Sequence, residues 1–512
     1  MQMATTLVRG RHVLVRAELD GTSRLLSNGA VAHENGVVTD VGAFNDLRRR
    51  YPDARVIGNG RQFLIPGLVN AHHHGRGVTG FQMGQPDGPL ELWIQRGMGR
   101  RPLDPRLMTL YTIMQMIRSG TTTVMFNQSS GPADGTIPEA AATLDAFVEA
   151  GMRVAFSVAF RNQCTVVYGD DETFFSGLPH DLADSIRRIV RATDHPFDEY
   201  LGLTRGFAKQ HAGSDSVRIL LSPQNYQWAD EETLGRIGDA ARTEGFGIHT
   251  HLVETAYQRR YAERLHGGQT PAHRLREVGF LGPGVSIAHG VWLTRDDIGI
   301  LADTRTAVSH NPSSNLRLHS GIAPVLDMLG GGITVGQGTD SNAINDDDDM
   351  LQEMGLTLRL HRPVGIDNPP INAHQVIHMA TLGGAELTMF GGEIGSLEVG
   401  RRADMALIDW DRISSPVLDS ELDILDVLLG RARAKDIDTV IIAGDAVLED
   451  RAFTQLDEDG IREEIREALK GPLPPEVAER RRISIEMAPY IRRFYSDWDV
   501  PIGPYYQYNS VS

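Results

Sequence analysis

Ile65-Pro66-Gly67-Leu68-Val69-Asn70-Ala71-His72-His73-His74-Gly75 is a short apolar run that ends in a histidine cluster. Successive strand side chains alternate faces, so His72 and His74 point the same way and can close on one metal ion, while His73 faces away. Three more strand-like runs end in chemistry. His251 and Glu254 close the run at 247–255, His289 the run at 285–290, and Asp340 the run at 333–341.

Working outward, eight strand-like runs at 63–74, 121–127, 153–160, 217–222, 247–253, 285–289, 307–310 and 333–340 alternate with helical patterning. Leu107, Leu110, Met114 and Ile117 make one apolar stripe. Leu234, Ile237 and Ala241 make another, capped by Asp230 and stopped by Gly245. Strand and helix repeated in this way predict a (β/α)8 TIM barrel, with chemistry at the C-terminal ends of the strands. Both chain ends have a different, short β texture, with Asn35-Gly36 and Ala443-Gly444-Asp445 as turns. We expect residues 1–64 and 395–455 to build a small composite β-sandwich domain, 65–394 the barrel, and 456–512 a helical extension. The aromatic stretch Pro504-Tyr505-Tyr506-Gln507-Tyr508 is expected to pack on the barrel or on a neighbouring subunit.

The chain has 512 residues, 41% of them hydrophobic, and a formal net charge of -17. Such a balance repels phosphate backbones and anionic lipid, so small neutral or cationic molecules fit better than nucleic acid or a membrane surface. A single cysteine, Cys164, excludes an internal disulfide and a cysteine-rich zinc site. With no signal-like start and no run of the roughly 18 apolar residues that span a bilayer, a cytoplasmic protein is expected.

Neutral imidazoles with one carboxylate form a borderline-soft site that suits zinc first, with iron, manganese, cobalt or nickel as alternatives. No lysine occurs at 217–223, where a carbamylated lysine would bridge two ions, so one divalent ion is expected. An ion of this kind lowers the pKa of its water towards about 7. That water needs a proton carrier, and Glu254, three residues past His251, can take the proton and pass it on; the alternative is that Glu254 simply starts the next helix. His289 is either a fourth ligand or a group that orients the water and polarises the substrate. Asp340 ends an apolar strand, whereas Asp346 to Asp349 suit the N-terminus of the helix at 350–360. His73 and His249 read as structural.

His310 and Asn315, on the loop after the seventh strand, are candidate substrate contacts, with loop-fixing hydrogen bonds as the competing role. Glu91 and Trp93 are candidates for a stacking and hydrogen-bonding wall over the substrate. Trp228, Trp292 and the insert around Tyr168 point to an aromatic-lined pocket, although such residues more often fill a core.

The order PGLVNAHHH (66–74), HTHLVET (249–255), AHG (288–290), SHNPSSNLRLHSGIAP (309–324) and GTDS (338–341) resembles the amidohydrolase superfamily, in its aminohydrolase and chlorohydrolase branch. That branch includes S-adenosylhomocysteine and methylthioadenosine deaminases, guanine-type deaminases and triazine hydrolases. The resemblance extends to EIGSLEVGRRADMALID at 393–409. It implies a mononuclear zinc or iron site with His72, His74, His251 and Asp340 as ligands, Glu254 as proton shuttle and His289 as an aid to activation. In adenosine-type deaminases, residues at the positions of Glu91 and Trp93 lie over the substrate. Three features depart from the pattern: Ser341 where glycine is common, Gly75-Arg76-Gly77 after the histidines, and the insert at 162–179.

The expected activity is metal-dependent hydrolysis of carbon–nitrogen bonds, first the deamination of an aminated purine, pterin, pyrimidine or triazine by a metal-bound hydroxide. A rival keeps the machinery but releases an alkyl- or arylamine from a urea, amide or carbamate, or a halide from a triazine. A third possibility is a barrel scaffold without catalysis. The expected partners are a small-molecule substrate and further copies of the chain, as a homodimer or higher homo-oligomer.

Overall fold

The computed structural model describes residues 5–129, 133–190 and 196–500. Eight parallel strands follow one another in chain order around a barrel: Leu68–His73, Thr121–Gln128, Arg153–Phe160, Val217–Pro223, Gly247–Leu252, Val285–His289, Ala307–His310 and Val335–Gln337. Most of their residues are buried, as expected for parallel strands covered on both faces. The seam between the first and last strands is bridged just beyond strand 8, where Asp340 N donates to His72 O at 2.9 Å. That bond sets the Asp340 carboxylate beside the histidine cluster.

Two predicted runs are cut shorter. The run at 63–74 breaks at Gly67: Gln62–Pro66 pairs antiparallel with Met405–Asp409 outside the barrel, and Leu68–His73 starts barrel strand 1. A Cβ at position 67 would lie 2.3 Å from Thr122 Oγ1, so the crossing backbone needs glycine there. The run at 333–340 leaves the ladder after Gln337, where Gly338 passes so close to strand 1 that a Cβ would meet His72 N at 2.9 Å.

Both chain ends meet in one mixed nine-stranded sheet. Thr6–Arg16 runs parallel to Arg55–Ile57 and Gln62–Pro66, and the other pairings are antiparallel. Its period-two pattern serves two cores. Leu14, Phe63, Ile65, Ala406 and Ile408 join the barrel core, while Val13, Val15, Leu64, Met405 and Leu407 form the sheet's own core. The expected turns are present, with Asn35 and Gly36 at φ 53° and 73° and Ala443 and Gly444 at 49° and 87°.

The helix stripes fall where the periodicity places them. Pro105–Arg118 is capped by Asp104 and buries Leu107, Leu110, Met114 and Ile117. Glu231–Glu244 is capped by Asp230 and ends at Gly245, φ 78°. The C-terminal helix Pro475–Tyr495 forms a second core with the insert: Met487, Ile491 and Tyr495 pack with Tyr168, Phe174 and Trp228. Arg481 of this helix donates to Met83 O at 2.6 Å and Gly99 O at 2.8 Å, tying it to the segment after barrel strand 1. The stretch 504–508 lies outside the described residues. Among the described residues no helix is long and apolar enough to cross a membrane.

Candidate metal centre and active site

Strand alternation delivers four side chains to one point at the C-terminal mouth of the barrel. His72 Nε2 and His74 Nε2 each lie 3.2 Å from Asp340 Oδ1, and His74 Nε2 lies 3.1 Å from His251 Nε2. Among the described residues, two overlapping groups are compact enough to hold an ion: His72 with His74 and His251, and His72 with His289 and Asp340.

Hydrogen bonds fix the tautomers. His74 Nδ1 donates to Asn127 O at 2.8 Å and His251 Nδ1 to Gln224 O at 2.6 Å, because a carbonyl can only accept. Their Nε2 atoms therefore turn lone pairs toward each other. Burial pushes the pKa of His72, His74 and His251 down, so all three are neutral imidazoles. His72 Nε2 and Asp340 Oδ1 are buried with no hydrogen-bond partner. Facing lone pairs and an orphaned carboxylate oxygen form a donor set that repels itself when empty and suits a divalent cation.

Glu254 lies beyond the strand end. The following helix, Ala256–Leu265, starts after it with Thr255 as N-cap, so Glu254 is not the first residue of that helix. Its carboxylate is buried, and Oε2 lies 3.7 Å from His289 Nε2. Burial chiefly, opposed by His289 and reinforced by Asp340 and Glu91, pushes its pKa up to about 7. His289 Nδ1 lies 2.9 Å from Asn315 Oδ1, which turns Nε2 toward Glu254 and Asp340, the latter at 4.0 Å. Val253, His289, Asp340 and Ser341 all adopt positive φ at the ends of strands 5, 6 and 8, between 42° and 77°. Left-handed backbone is costly for these residues and concentrates where side chains must be aimed.

The other predicted residues have definite partners. Glu91 Oε1 accepts from Thr255 Oγ1 at 2.5 Å, beside Glu254. Trp93 lines a cavity of about 1010 Å³ at the mouth of the site, as do Arg76, Gln224 and Trp228. His310 Nε2 lies 3.0 Å from His361 Nε2, and Asn315 Oδ1 lies 2.9 Å from His289 Nδ1. Tyr168 stands against Trp228 and Tyr495, and Trp292 Nε1 donates to Ser320 O at 2.7 Å.

Sequence reasoning missed two features. Asp348 does not merely face a helix terminus; it is buried 3.1 Å from His73 Nε2, while Asp349 is the helix cap. Arg76, noted only as a departure, projects into the cavity with its Cζ 5.3 Å from the Trp93 ring centroid.

A TIM barrel with this His/Asp cluster at its catalytic mouth defines a metal-dependent hydrolase. The chain belongs to the amidohydrolase family, whose model matches residues 63–447. An imidazolonepropionase-like composite domain also matches, at 29–54. The 5-methylthioadenosine/S-adenosylhomocysteine deaminase of Acetivibrio thermocellus is 31% identical over 87% of this chain and 95% of its own length. The 5'-deoxyadenosine deaminase of Methanosarcina mazei is 30% identical over 91% and 98%. An adenosine deaminase from Xanthomonas campestris, solved with bound zinc, superposes with a TM-score of 0.78 at 25% identity, covering 91% of this chain and 98% of its own.

Proposed function

We propose that this chain deaminates an aminated nitrogen heterocycle by hydrolysis, with His72, His74, His251 and Asp340 holding one divalent ion, zinc first. The observation that carries the reading is Glu254: a buried carboxyl whose pKa lies near 7, 3.7 Å from His289, above a cluster with orphaned lone pairs. The similarity to adenosine-type deaminases supports the choice of ring.

The ion, when bound, lowers the pKa of a water towards about 7 and polarises the ring. Glu254 takes the proton from the attacking water and delivers it to the ring nitrogen next to the amino-bearing carbon. His289, oriented through Asn315, stabilises the charge that develops on the incoming oxygen. Glu254 then carries the second proton to the amino group, the carbon–nitrogen bond breaks, and ammonia leaves an oxo ring. Trp93 supplies a flat apolar wall for that ring, and Glu91, held by Thr255, supplies a hydrogen-bonding edge. We keep the division into a composite β domain (1–64 with 395–455), the barrel (65–394) that carries this centre and a C-terminal helical extension (456–512), and His310 braces the seventh strand end through His361.

A second reading, displacement of a halide or amine from a triazine, is favoured by one observation. An atrazine chlorohydrolase from Arthrobacter aurescens TC1, solved with zinc, superposes with a TM-score of 0.75 at 25% identity over 91% of this chain and 100% of its own. Product analysis on zinc-loaded protein separates the two. Ammonia from aminated purines, pterins or pyrimidines supports the first, whereas chloride or alkylamine without ammonia overturns it.

The proposal places the enzyme in the cytoplasm as a homo-oligomer. Buried, unpaired Cys164 agrees with a reducing compartment, and exposed Val364 and Ile366 are apolar surface that a subunit contact would cover.

A further inference from the structure

The cavity beside the cluster is cationic although the chain is not. Six arginines and two glutamates, Glu476 and Glu479, line it, in a chain of net charge -17. Glu479 is already paired with Arg482.

Arg76 stands nearest the chemistry, two residues after His74 and over the face of Trp93. Its guanidinium has no hydrogen-bond or ion-pair partner among the described residues, so its donors are open to the cavity. Its backbone is fixed: Ser341 Oγ accepts from Arg76 N at 3.3 Å and from His74 N at 3.0 Å. Two departures from the family pattern, Ser341 and Arg76, are thus one device, in which the hydroxyl at 341 sets the path of the chain that carries the guanidinium. Arg100 lines the same cavity, and among the described residues its guanidinium bonds only the Gly97 carbonyl, at 3.3 Å. Burial and then the charge of Arg76 push its pKa down to about 9. Burial leaves both guanidiniums poorly solvated, Arg76 offset in part by the charges of Asp340 and Glu254, and a planar fork with open donors in such a cavity matches a carboxylate. A neutral ring would leave those donors without an anion.

We infer that Arg76 and Arg100 form an anion subsite beside the reacting centre, and that the substrate is an N-heterocycle bearing a carboxylate, gripped by Arg76 against the Trp93 face. In calling that ligand a substrate, the inference rests on the deaminase reading; the subsite itself rests on the arginines alone.

The test is a binding measurement on zinc-loaded Glu254→Gln protein, in which turnover is slowed about 10²–10⁴-fold. Aminopyrimidine, pterin and aminotriazine rings are titrated calorimetrically, each as the carboxylic acid and as the carboxamide, with a phosphate-bearing ring as a third arm. The subsite predicts that one ring's acid binds about tenfold or more tightly than its amide. Arg76→Gln and Arg100→Gln, each added to this protein, should bring that ratio toward one, and Arg76→Lys should keep only part of it. Preference for the phosphate arm keeps the subsite and changes the anion. Equal affinity for acid and amide, no saturable acid binding, or a ratio unchanged in an Arg76→Gln protein that retains zinc overturns the inference. If Arg76→Gln does not fold, Arg100→Gln and Arg76→Lys carry the same comparison. Acid preference without ammonia release by the wild-type protein would sink the deaminase reading and leave the subsite standing; ammonia release without acid preference would do the reverse.

Discussion

His72 Nδ1 lies 2.7 Å from His249 Nε2, and this contact decides which way the His72 lone pair points. When Ser286 Oγ donates to Ile248 O, 3.4 Å away, it accepts from His249 Nδ1 at 2.7 Å, and this is the arrangement that a cation on His72 requires. His249 Nε2 must then accept from His72 Nδ1, leaving His72 Nε2 unprotonated against Asp340. Burial holds the His249 pKa down at about 3, so the relay stays neutral across the working pH range. Removing it by His249→Ala should lower zinc affinity about 10–100-fold, the range seen for outer partners of metal-binding histidines. Competition with a chelating dye measures this, and unchanged affinity would refute the relay.

Glu254→Gln should retain zinc but lose about 10²–10⁴ of the turnover rate, the usual share of a general acid–base group. Metal analysis and kcat on the same sample check both halves.

Glu254 also sets a pH dependence. It must be ionised to take a proton, so kcat/KM should rise with pH through a limb at or below about 7, lowered from there by a bound cation. Glu254→Gln should lack that limb. The sign for stability is opposite. A carboxyl whose folded pKa exceeds its unfolded value stabilises most below the unfolded value and loses that contribution as pH rises through the folded one. Metal-free wild-type protein should therefore lose stability between about pH 4.5 and 7 relative to Glu254→Gln.

Chelation should lower the melting temperature as well as abolish activity. The facing Nε2 atoms of His74 and His251, 3.1 Å apart, and the orphaned Asp340 Oδ1 are left uncompensated without a cation. Calorimetric melting before and after chelation, then after zinc return, gives the comparison; a melting temperature indifferent to metal would contradict it.

Ile491→Ala, in the core shared by the C-terminal helix and the insert, should cost about 2–5 kcal/mol. Because helix residues Val477 and Ile483 also line the cavity, KM should rise along with the loss of stability. Denaturant unfolding and steady-state kinetics measure the two effects.

The barrel was legible because each strand reads as an apolar run and each helix as a stripe between cap and stop, as at Asp230 and Gly245. The strand break at Gly67 was not, because apolar residues continue through it and only the approach of Thr122 demands it. At the site, alternation alone placed His72 with His74 and turned His73 away. The partners of the remaining polar groups were hidden, since pairs such as His73 and Asp348 meet across 275 positions of chain. Composition misled most about charge: a net value of -17 says nothing of a cavity lined by six arginines. The docking of Pro475–Tyr495 on the insert also lacked any local signal, because its apolar face reads only as an amphipathic helix.

The most direct test of the central claim is the stoichiometry of ammonia to oxo product when zinc-loaded protein turns over an aminated heterocycle, with Glu254→Gln and chelated protein in parallel. The account predicts one ammonia per oxo ring, formed about 10²–10⁴ times more slowly by Glu254→Gln, lost on chelation and restored to the chelated protein by zinc. Ammonia release at an undiminished rate in Glu254→Gln, or turnover that continues without metal, would contradict it.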